Sequence, residues 1–262
     1  MLGAIIGDIV GSRFEWRNHK SKEFEFFHEK CTPTDDSVMT LAVAEALIEV
    51  RRTGGDLREV VVRTMQDWGL SYPNAGYGGR FRSWLMSPDP RPYNSFGNGA
   101  AMRVSPCGFA ATSAEEAKAL AVAVTDVTHD HIQSLTAAQA VAETIYLART
   151  GVDKEALRAH VTGNYYPLGF TLDEIRPGYR FDVSCQGSVP QAFEAFFEST
   201  DFEDAIRNAV SIGGDSDTIA AITGGMAQAY YGVPDPLRTQ ALAYMDERQK
   251  ACLNAFETAF PV

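Results

Sequence analysis

Two acidic clusters stand out in the sequence because each places paired aspartates and a threonine at the expected start of a helix. The first is Thr34-Asp35-Asp36, and the second is Asp215-Ser216-Asp217-Thr218, which follows two glycines. One oxygen-bearing side chain is enough to cap a helix. Carboxylates held about 4 Å apart in a partly dry site repel one another unless a cation lies between them. The surplus of carboxylates therefore predicts a metal site.

The donors in both clusters are oxygen atoms. Oxygen-only ligation favours hard ions, Mg²⁺ or Mn²⁺, and argues against zinc. If the two clusters meet in the fold, their four aspartates and two threonines can hold two such ions. The sequence alone does not show that they meet, so simple helix capping stays open as the alternative interpretation.

Two other interpretations of the second cluster are possible. An EF-hand loop beginning at Asp215 requires glycine at position 220 and glutamate at position 226, where the chain has Ala220 and Met226. A strand over residues 209–212 that delivers a phosphatase-type aspartate pair is the stronger competitor. Only 45 residues follow Asp217, which is too few for the parallel sheet that such a centre needs.

Several other polar positions have both a structural and a functional interpretation. Glu15 is either a surface glutamate or, beside a metal cavity, a general acid or base with a raised pKa, whereas Asp8 is interpreted as structural. The glycine-rich residues 76–79 and 95–99 are either ordinary turns or backbone N–H donors to a diphosphate. His129 and His131 are two residues apart, which is typical of capping or surface positions and not of a ligand pair.

The apolar spacing predicts helices throughout the chain, and strand-like alternation is scarce. Helices are expected over residues 37–50, 129–149, 217–231 and 237–260, with further starts at Asp56, Ser113, Asp153, near Ser188 and at Asp201. Long connections over residues 69–79, 87–99 and 163–182 carry most of the turn-forming residues, and such loops often hold functional groups. We predict a single all-α domain over residues 1–262.

Composition limits the classes of function. The 262 residues carry a net charge of −11, which argues against nucleic acid as a partner. No apolar run approaches the roughly 20 residues that cross a membrane, and Asp8 interrupts the apolar N-terminal stretch, so a secretion signal is not expected. The four cysteines have no paired spacing and are interpreted as reduced core thiols. We expect a cytoplasmic protein and a monomer.

Six motifs in order along the chain resemble those of the ADP-ribosylglycohydrolase family. They are Gly7-Asp8-x-x-Gly11-Ser12-x-x-Glu15, residues 34–39 (TDDSVM), residues 76–78 (GYG), residues 97–103 (GNGAAMR), Thr128-His129 and residues 213–220 (GGDSDTIA). The resemblance covers nearly the whole chain. Ser37 and Ser216 stand where many members have threonine, and each keeps a hydroxyl group.

The resemblance implies a compact, single-domain orthogonal helical bundle with a cleft for two Mg²⁺ or Mn²⁺ ions. It implies metal ligation by Thr34, Asp35, Asp36, Asp215, Asp217 and Thr218. It also implies that Glu15 is the acid near the scissile bond and that His129 touches the ligand. The loops that would hold the diphosphate and distal ribose contribute Gly76, Gly78, Gly79, Ser95, Phe96, Gly97, Asn98 and Gly99.

The function implied by the resemblance is metal-dependent hydrolysis of the glycosidic bond between ADP-ribose and an acceptor, such as a side chain of an ADP-ribosylated protein. Asp36 is a candidate for an assisting base. Two alternatives stay open: a non-catalytic ADP-ribose-binding protein on the same fold, and a metal-dependent phosphohydrolase. Residues 16–19 and 163–182 resemble only a subgroup of the family, so the acceptor is left undetermined.

Overall fold

The computed structural model describes residues 1–261, which form fifteen α-helices. In chain order they are α1 (Leu2–Ser12), α2 (Asp35–Thr53), α3 (Leu57–Ser71), α4 (Gly79–Leu85), α5 (Gly99–Met102), α6 (Ser105–Ala110), α7 (Ala114–Thr125), α8 (Ile132–Arg149), α9 (Lys154–Asn164), α10 (Leu172–Ile175), α11 (Cys185–Phe197), α12 (Phe202–Ser211), α13 (Ser216–Tyr231), α14 (Asp235–Leu242) and α15 (Glu247–Ala259). Within residues 1–261 there is no β-strand, and an isolated bridge joins Gly97 to Ser184. The predicted all-α fold is confirmed.

Helix α1 lies antiparallel to α13 with the two backbones almost in contact. Gly3, Gly7 and Gly11 recur every fourth residue and therefore share one face of α1. A Cβ atom at Gly7 would lie 1.9 Å from the carbonyl oxygen of Ala220, and one at Gly11 would lie 2.5 Å from that of Ser216. The absence of side chains allows this approach, which brings the end of α1 beside the start of α13.

The sequence analysis did not predict α1. Glycine in a helix interior costs about 1 kcal/mol relative to alanine, and α1 has a glycine at every fourth position from Gly3 to Gly11. The helix forms because tertiary packing compensates for this low propensity. All of its residues except Ser12 are buried.

Helix α2 carries the first acidic cluster into the core. It extends the predicted helix of residues 37–50 to Asp35–Thr53. Gly54 ends it in the left-handed conformation, with a φ of 73°, as the glycine signal in the sequence predicts. Its first three turns are buried almost completely, so the acidic residues at its start lie away from bulk water.

Local capping signals predict four helix starts correctly. The side chains of Asp56, Ser113, Asp153 and Asp201 each accept a hydrogen bond from a backbone N–H group in the first turn of the following helix. Such caps involve only residues two or three positions apart. They are therefore readable from the sequence without knowledge of the tertiary fold.

Two predicted helices in the middle of the chain form, but their starts differ from the approximate predicted positions by three residues. The helix expected to begin near Ser188 begins at Cys185, because Ser184 is the residue that caps it and accepts from the N–H of Gly187. The helix expected over residues 129–149 begins at Ile132, because His131 is its cap and accepts from the backbone N–H of Gln133.

The segment predicted as one helix over residues 237–260 forms two, α14 and α15. Asp246 begins the second helix with a capping box, in which its side chain and that of Gln249 each accept from the other's backbone N–H. The apolar periodicity continues across the break, which is why the sequence indicated one helix.

One continuous hydrophobic core joins the helices. Cys31, Cys107, Cys185 and Cys252 are buried and unpaired, as expected for reduced core thiols. None of the helices in residues 1–261 has both the length and the hydropathy that a membrane-crossing helix needs.

Candidate active site

Helices α2 and α13 begin next to each other, so the structure brings the two predicted acidic clusters together. The Thr218 hydroxyl, from the second cluster, donates to Oδ2 of Asp36 in the first at 3.2 Å. Two groups of carboxylate oxygens form there, each within 4.8 Å of one another: Asp8, Asp36 and Asp217 in one, and Glu15, Asp215 and Asp217 in the other. Asp217 belongs to both groups and links them.

Burial and mutual repulsion raise the pKa values of these carboxylates. Burial, then the charges of neighbouring carboxylates, raises the pKa of Asp36 and Asp217 well above the usual range. Burial, then the charges of Asp215 and Asp8, raises the pKa of the half-buried Glu15 to about 7. The pKa of Asp35 rises to about 7 for similar reasons. So many carboxylates are not all ionised at neutral pH without a counter-charge.

The donor set fits hard divalent cations. Oδ1 of Asp36 is buried and has no hydrogen-bond partner among residues 1–261. Over the same residues, no lysine, arginine or histidine forms an ion pair with a carboxylate of either group. Both groups consist of oxygen donors only, which is the chemistry that Mg²⁺ and Mn²⁺ prefer.

Asp8 fixes the first cluster in place. Its carboxylate accepts from the backbone N–H and the hydroxyl of Thr34 at 2.8 and 2.6 Å, and from the N–H and the hydroxyl of Ser37. These bonds satisfy N–H groups at the start of α2 and support the structural interpretation of Asp8. Because the Thr34 hydroxyl donates to Asp8, its oxygen keeps lone pairs for a cation.

Asp8 also belongs to the carboxylate group of Asp36 and Asp217, a position that the sequence analysis missed. The spacing of Gly7 and Gly11 around Asp8 was the available signal. It indicates close packing of the helix that carries Asp8, although it does not identify the neighbouring helix.

A cleft of about 430 Å³ opens over the carboxylates. Its lining includes Glu15, Asp35, Asp36, Asp215, Asp217 and Thr218 together with Gly76, Gly78, Gly79, Ser95, Gly97, Asn98, Gly99 and His129. The backbone N–H of Asp35 donates to the carbonyl oxygen of Ala75 at 2.8 Å and ties the first glycine-rich loop to the first acidic cluster. The loops and the acidic clusters predicted from the sequence therefore share one cleft.

In the second glycine-rich loop, Phe96 lies outside the cleft lining, whereas Asn98 lines the cleft and contacts a carboxylate of the site. The Phe96 side chain is 52% exposed, packs edge-on against His131 and is not part of the cleft lining. The Asn98 amide Nδ2 donates to Oδ2 of Asp215 at 2.7 Å, so it orients a carboxylate of the site. A single sequence shows the residue types of a loop but not which way each side chain points.

Two stacked aromatic rings border the cleft beside Glu15. Trp16 is 79% exposed and stacks on Phe181 with ring centroids 5.0 Å apart. Both rings also line a second cavity of about 500 Å³, which shares Glu15 with the cleft and includes Arg180. Trp16 lies in the segment 16–19 and Phe181 in the segment 163–182.

His129 occupies the inner wall of the cleft and is 6% exposed. The expectation of a surface or capping role is wrong for this residue and correct for His131, which caps α8. The buried Arg103 lines the same wall. From the sequence, Arg103 is either a cation for phosphate or an ordinary arginine that meets water or a carboxylate.

The fold and the site together define an all-α protein whose cleft is lined by buried carboxylates. The family model described as ADP-ribosylglycohydrolase matches residues 1–257. The chain belongs to the ADP-ribosylglycohydrolase family, which confirms the resemblance seen in its motifs and makes it a glycohydrolase.

Individual relatives agree with this assignment. The chain is 26% identical to ADP-ribosylarginine hydrolase Tri1 of Pseudomonas putida (strain GB-1), over 99% of this chain and 77% of the relative. It is 25% identical to the mouse ADP-ribosylhydrolase ARH3, over 89% of this chain and 83% of the relative. A solved structure described as an ADP-ribosylglycohydrolase-related protein complex matches with a TM-score of 0.71 and 26% identity, covering 98% of this chain and 95% of that chain.

Proposed function

We propose that this protein is a metal-dependent hydrolase that releases ADP-ribose from an acceptor, most simply a modified side chain of a protein. The observation that carries the proposal is the convergence of the two acidic helix starts beside Glu15 in one cleft. The relatives support the substrate class, since Tri1 is named an ADP-ribosylarginine hydrolase and ARH3 an ADP-ribosylhydrolase.

The residues that would hold two Mg²⁺ or Mn²⁺ ions are Thr34, Asp35, Asp36, Asp215, Asp217 and Thr218. When bound, such ions neutralise the carboxylates and orient the ribose hydroxyls or the attacking water. Asp8 and Asn98 support this set, because Asp8 accepts from Thr34 and Asn98 donates to Asp215.

Glu15 is the proposed acid or base. Hydrolysis breaks the bond from the ribose anomeric carbon to the acceptor, gives a proton to the departing acceptor and takes one from water. A carboxyl group whose pKa is raised to about 7 is suited to exchange a proton near neutral pH. Glu15 lines both the cleft and the second cavity, so a ligand in either can approach it. Asp36 is the second candidate for a base.

The glycine-rich loops are proposed to take the diphosphate and the distal ribose. Gly76, Gly78 and Gly79 line one side of the cleft, and Gly97 and Gly99 another. Backbone N–H groups at such positions bind anionic oxygens without a side chain in the way. These donors also offset the unfavourable approach of a diphosphate to a chain of net charge −11.

The decisive experiment incubates the protein with arginine-linked and serine-linked ADP-ribosyl peptides in Mg²⁺, Mn²⁺ or EDTA, and identifies the products by mass spectrometry. We expect free ADP-ribose and the unmodified peptide from one of the two substrates, with a metal and not in EDTA. Binding of ADP-ribose without turnover would indicate a non-catalytic binder. If the protein releases no ADP-ribose but does release phosphate from nucleotide or sugar phosphates, it is a phosphohydrolase.

A further inference from the structure

A line of three side chains leads from a buried cation to the wall of the cleft. Nη2 of Arg103 donates to Oγ1 of Thr128 at 2.6 Å, and that oxygen lies 2.7 Å from Nδ1 of His129. Arg103 and Thr128 are 1% and 0% exposed. A guanidinium group only donates hydrogen bonds, so the Thr128 oxygen accepts from Arg103.

The single hydroxyl proton of Thr128 has two acceptors within reach. The carbonyl oxygen of Thr125 lies 3.3 Å away, whereas Nδ1 of His129 lies at 2.7 Å. The shorter distance favours donation to the imidazole. A ring nitrogen that accepts a hydrogen bond carries no proton, so a neutral His129 then has its proton on Nε2.

The charge around the ring favours a neutral imidazole. Arg103 has no ion-pair partner within residues 1–261, and burial lowers its pKa only to about 10, so it stays a cation at pH 7. Burial, then the charges of Arg103 and Arg80, lowers the pKa of His129 well below its usual value. Two adjacent buried cations would repel each other strongly, so the imidazole gives up its charge.

Nε2 of His129 faces a strip of the cleft that has no side chains. A Cβ atom at Gly97 or Gly99 would lie 3.5 or 3.4 Å from this nitrogen. In the part of the chain that the structure describes, the hydrogen bonds of the ring involve Nδ1 and not Nε2. The Nε2 proton is therefore available to a ligand in the cleft.

We propose that Arg103 is a positioning residue that acts through the Thr128 hydroxyl to hold His129 as the neutral imidazole protonated on Nε2. His129 then presents a fixed hydrogen-bond donor to an oxygen of the bound ligand. A buried arginine without a carboxylate partner lowers the stability of the fold. The proposed role explains why the protein keeps one here. The protonation state belongs to the ligand-free protein, and only the use of the donor by ADP-ribose rests on the proposed function.

The protonation state is measured by NMR on protein with ¹⁵N-labelled histidine, without ligand at pH 7. The chain has five histidines, and the His129 signals are identified by their loss in His129→Gln. We expect Nδ1 without a proton and Nε2 with one. A wild-type His129 signal that shows the proton on Nδ1, or a charged ring, would overturn the proposal.

Two threonine variants test the role of the hydroxyl. Thr128→Val removes it, whereas Thr125→Val makes the same change at a buried hydroxyl that has no hydrogen-bond partner among the described residues. We expect Thr128→Val to lose the single protonation state of His129 and to bind ADP-ribose about tenfold more weakly. Thr125→Val and the hydroxyl-keeping Thr128→Ser should stay within about threefold of the wild type.

Arg103→Gln keeps an N–H donor but removes the charge, and we expect it to raise the pKa of His129 in an NMR titration. A Thr128→Val protein that is folded and keeps both the His129 spectrum and the affinity would contradict the proposal. Failure of the wild type to bind ADP-ribose would count against the proposed function, and the ligand-free spectrum would still decide this inference.

Discussion

The carboxylates around Asp217 place several negative charges in a buried cleft, which is unstable without cations. Asp36 and Asp217 are almost completely buried, and Asp8 lies beside them with its oxygens committed to α2. Without cations, folding must either protonate these groups or accept their repulsion, and both lower stability at neutral pH. A site built for cations therefore makes the metal-free protein less stable.

Asp217→Asn is expected to change stability in opposite directions with and without metal. In EDTA at pH 7 it removes an acid whose pKa is raised well above the usual range, so the free energy of unfolding should increase. In Mg²⁺ it removes a ligand, so the metal should raise Tm less than in the wild type, and turnover should be lost. Thermal unfolding in both buffers with a turnover assay measures this.

The control is Asp235→Asn, which removes an exposed aspartate from the first turn of α14. It should change the unfolding free energy by less than about 1 kcal/mol in either buffer. If Asp217→Asn destabilises the protein equally in EDTA and in Mg²⁺, the cation interpretation of this residue is wrong.

Glu15→Gln is expected to slow turnover at least about 100-fold, because it removes the proton exchange assigned to this carboxyl group. The amide keeps the size of the side chain, so ADP-ribose affinity measured by calorimetry should stay within about threefold. Glu23→Gln, at an exposed position in the same N-terminal segment, should leave both quantities unchanged. An equal loss of affinity and turnover would assign Glu15 to ligand binding and not to proton transfer.

At the scale of single residues, the sequence predicted the donors better than the residues that orient them. The paired aspartates could be recognised because they exceed the number of oxygen donors that helix capping needs. Within each cluster, the donors are adjacent in the sequence and also close in space. The contacts from Asp8 to Thr34 and from Asn98 to Asp215 join residues 26 and 117 positions apart. Such contacts depend on how helices pack, which one sequence does not reveal.

Among the helices, the pair α1 and α13 controls the geometry of the site. Their glycine contact sets α1 so close to α13 that Asp8 reaches the carboxylate group of Asp217. The chain continues from α1 to Glu15 in the second group. A change in the spacing of these helices therefore acts on both carboxylate groups together.

Gly7→Ala tests this spacing. The added Cβ atom would lie 1.9 Å from the carbonyl oxygen of Ala220, so the backbones must separate. We expect a loss of about 3 kcal/mol in the unfolding free energy and a smaller rise of Tm on addition of Mg²⁺. Denaturant unfolding and thermal unfolding measure the two effects.

Gly163→Ala is the matched control, because it lies in the exposed end of α9 with no atom within 4 Å of the added Cβ. Alanine is the better helix former, so this variant should be neutral or more stable by up to about 1 kcal/mol. If Gly7→Ala behaves in the same way, the close contact between α1 and α13 is not needed for the site.

Helix prediction succeeded where local signals decide and failed where packing decides. The caps at Asp56 and Asp201 and the terminating Gly54 act over a few residues, and the predictions made from them agree with the structure. Helix α1 has poor propensity and forms against α13, more than 200 residues away. The break between α14 and α15 depends on a capping box that the apolar pattern hid.

At the scale of the whole molecule, the cleft collects segments that are far apart in the chain. Glu15 comes from the region after α1, Asp36 from α2, Gly78 from the loop before α4, His129 from the turn before α8 and Asp217 from α13. The family motifs predicted most of this set as a group. The overall balance of charge then decides how the assembled protein responds to pH and to metal.

Without metal, the wild-type protein should lose stability as pH rises. Folding raises the pKa of Asp35 and Glu15 from their usual values near 4 to about 7. A carboxyl group with a raised folded-state pKa favours the folded state below its unfolded pKa, and this contribution declines as pH rises toward the folded value. For Asp35, the decline in unfolding free energy from pH 5 to pH 7 is roughly 2 kcal/mol. Glu15 is only half buried, so its contribution to this decline in unfolding free energy is smaller.

The measurement is Tm between pH 5 and pH 8 in EDTA and in Mg²⁺. In EDTA we expect Tm to fall by roughly 5–10 °C from pH 5 to pH 7, and in Mg²⁺ to stay nearly level, so the gain from metal grows with pH. General repulsion in a chain of net charge −11 predicts a similar fall, but salt screens exposed charges and affects buried ones much less. The difference between the two buffers should therefore persist at high ionic strength. A Tm in EDTA that is level or rises over this range would show that the carboxylates do not raise one another's pKa, and the physical basis for a cation site would be lost.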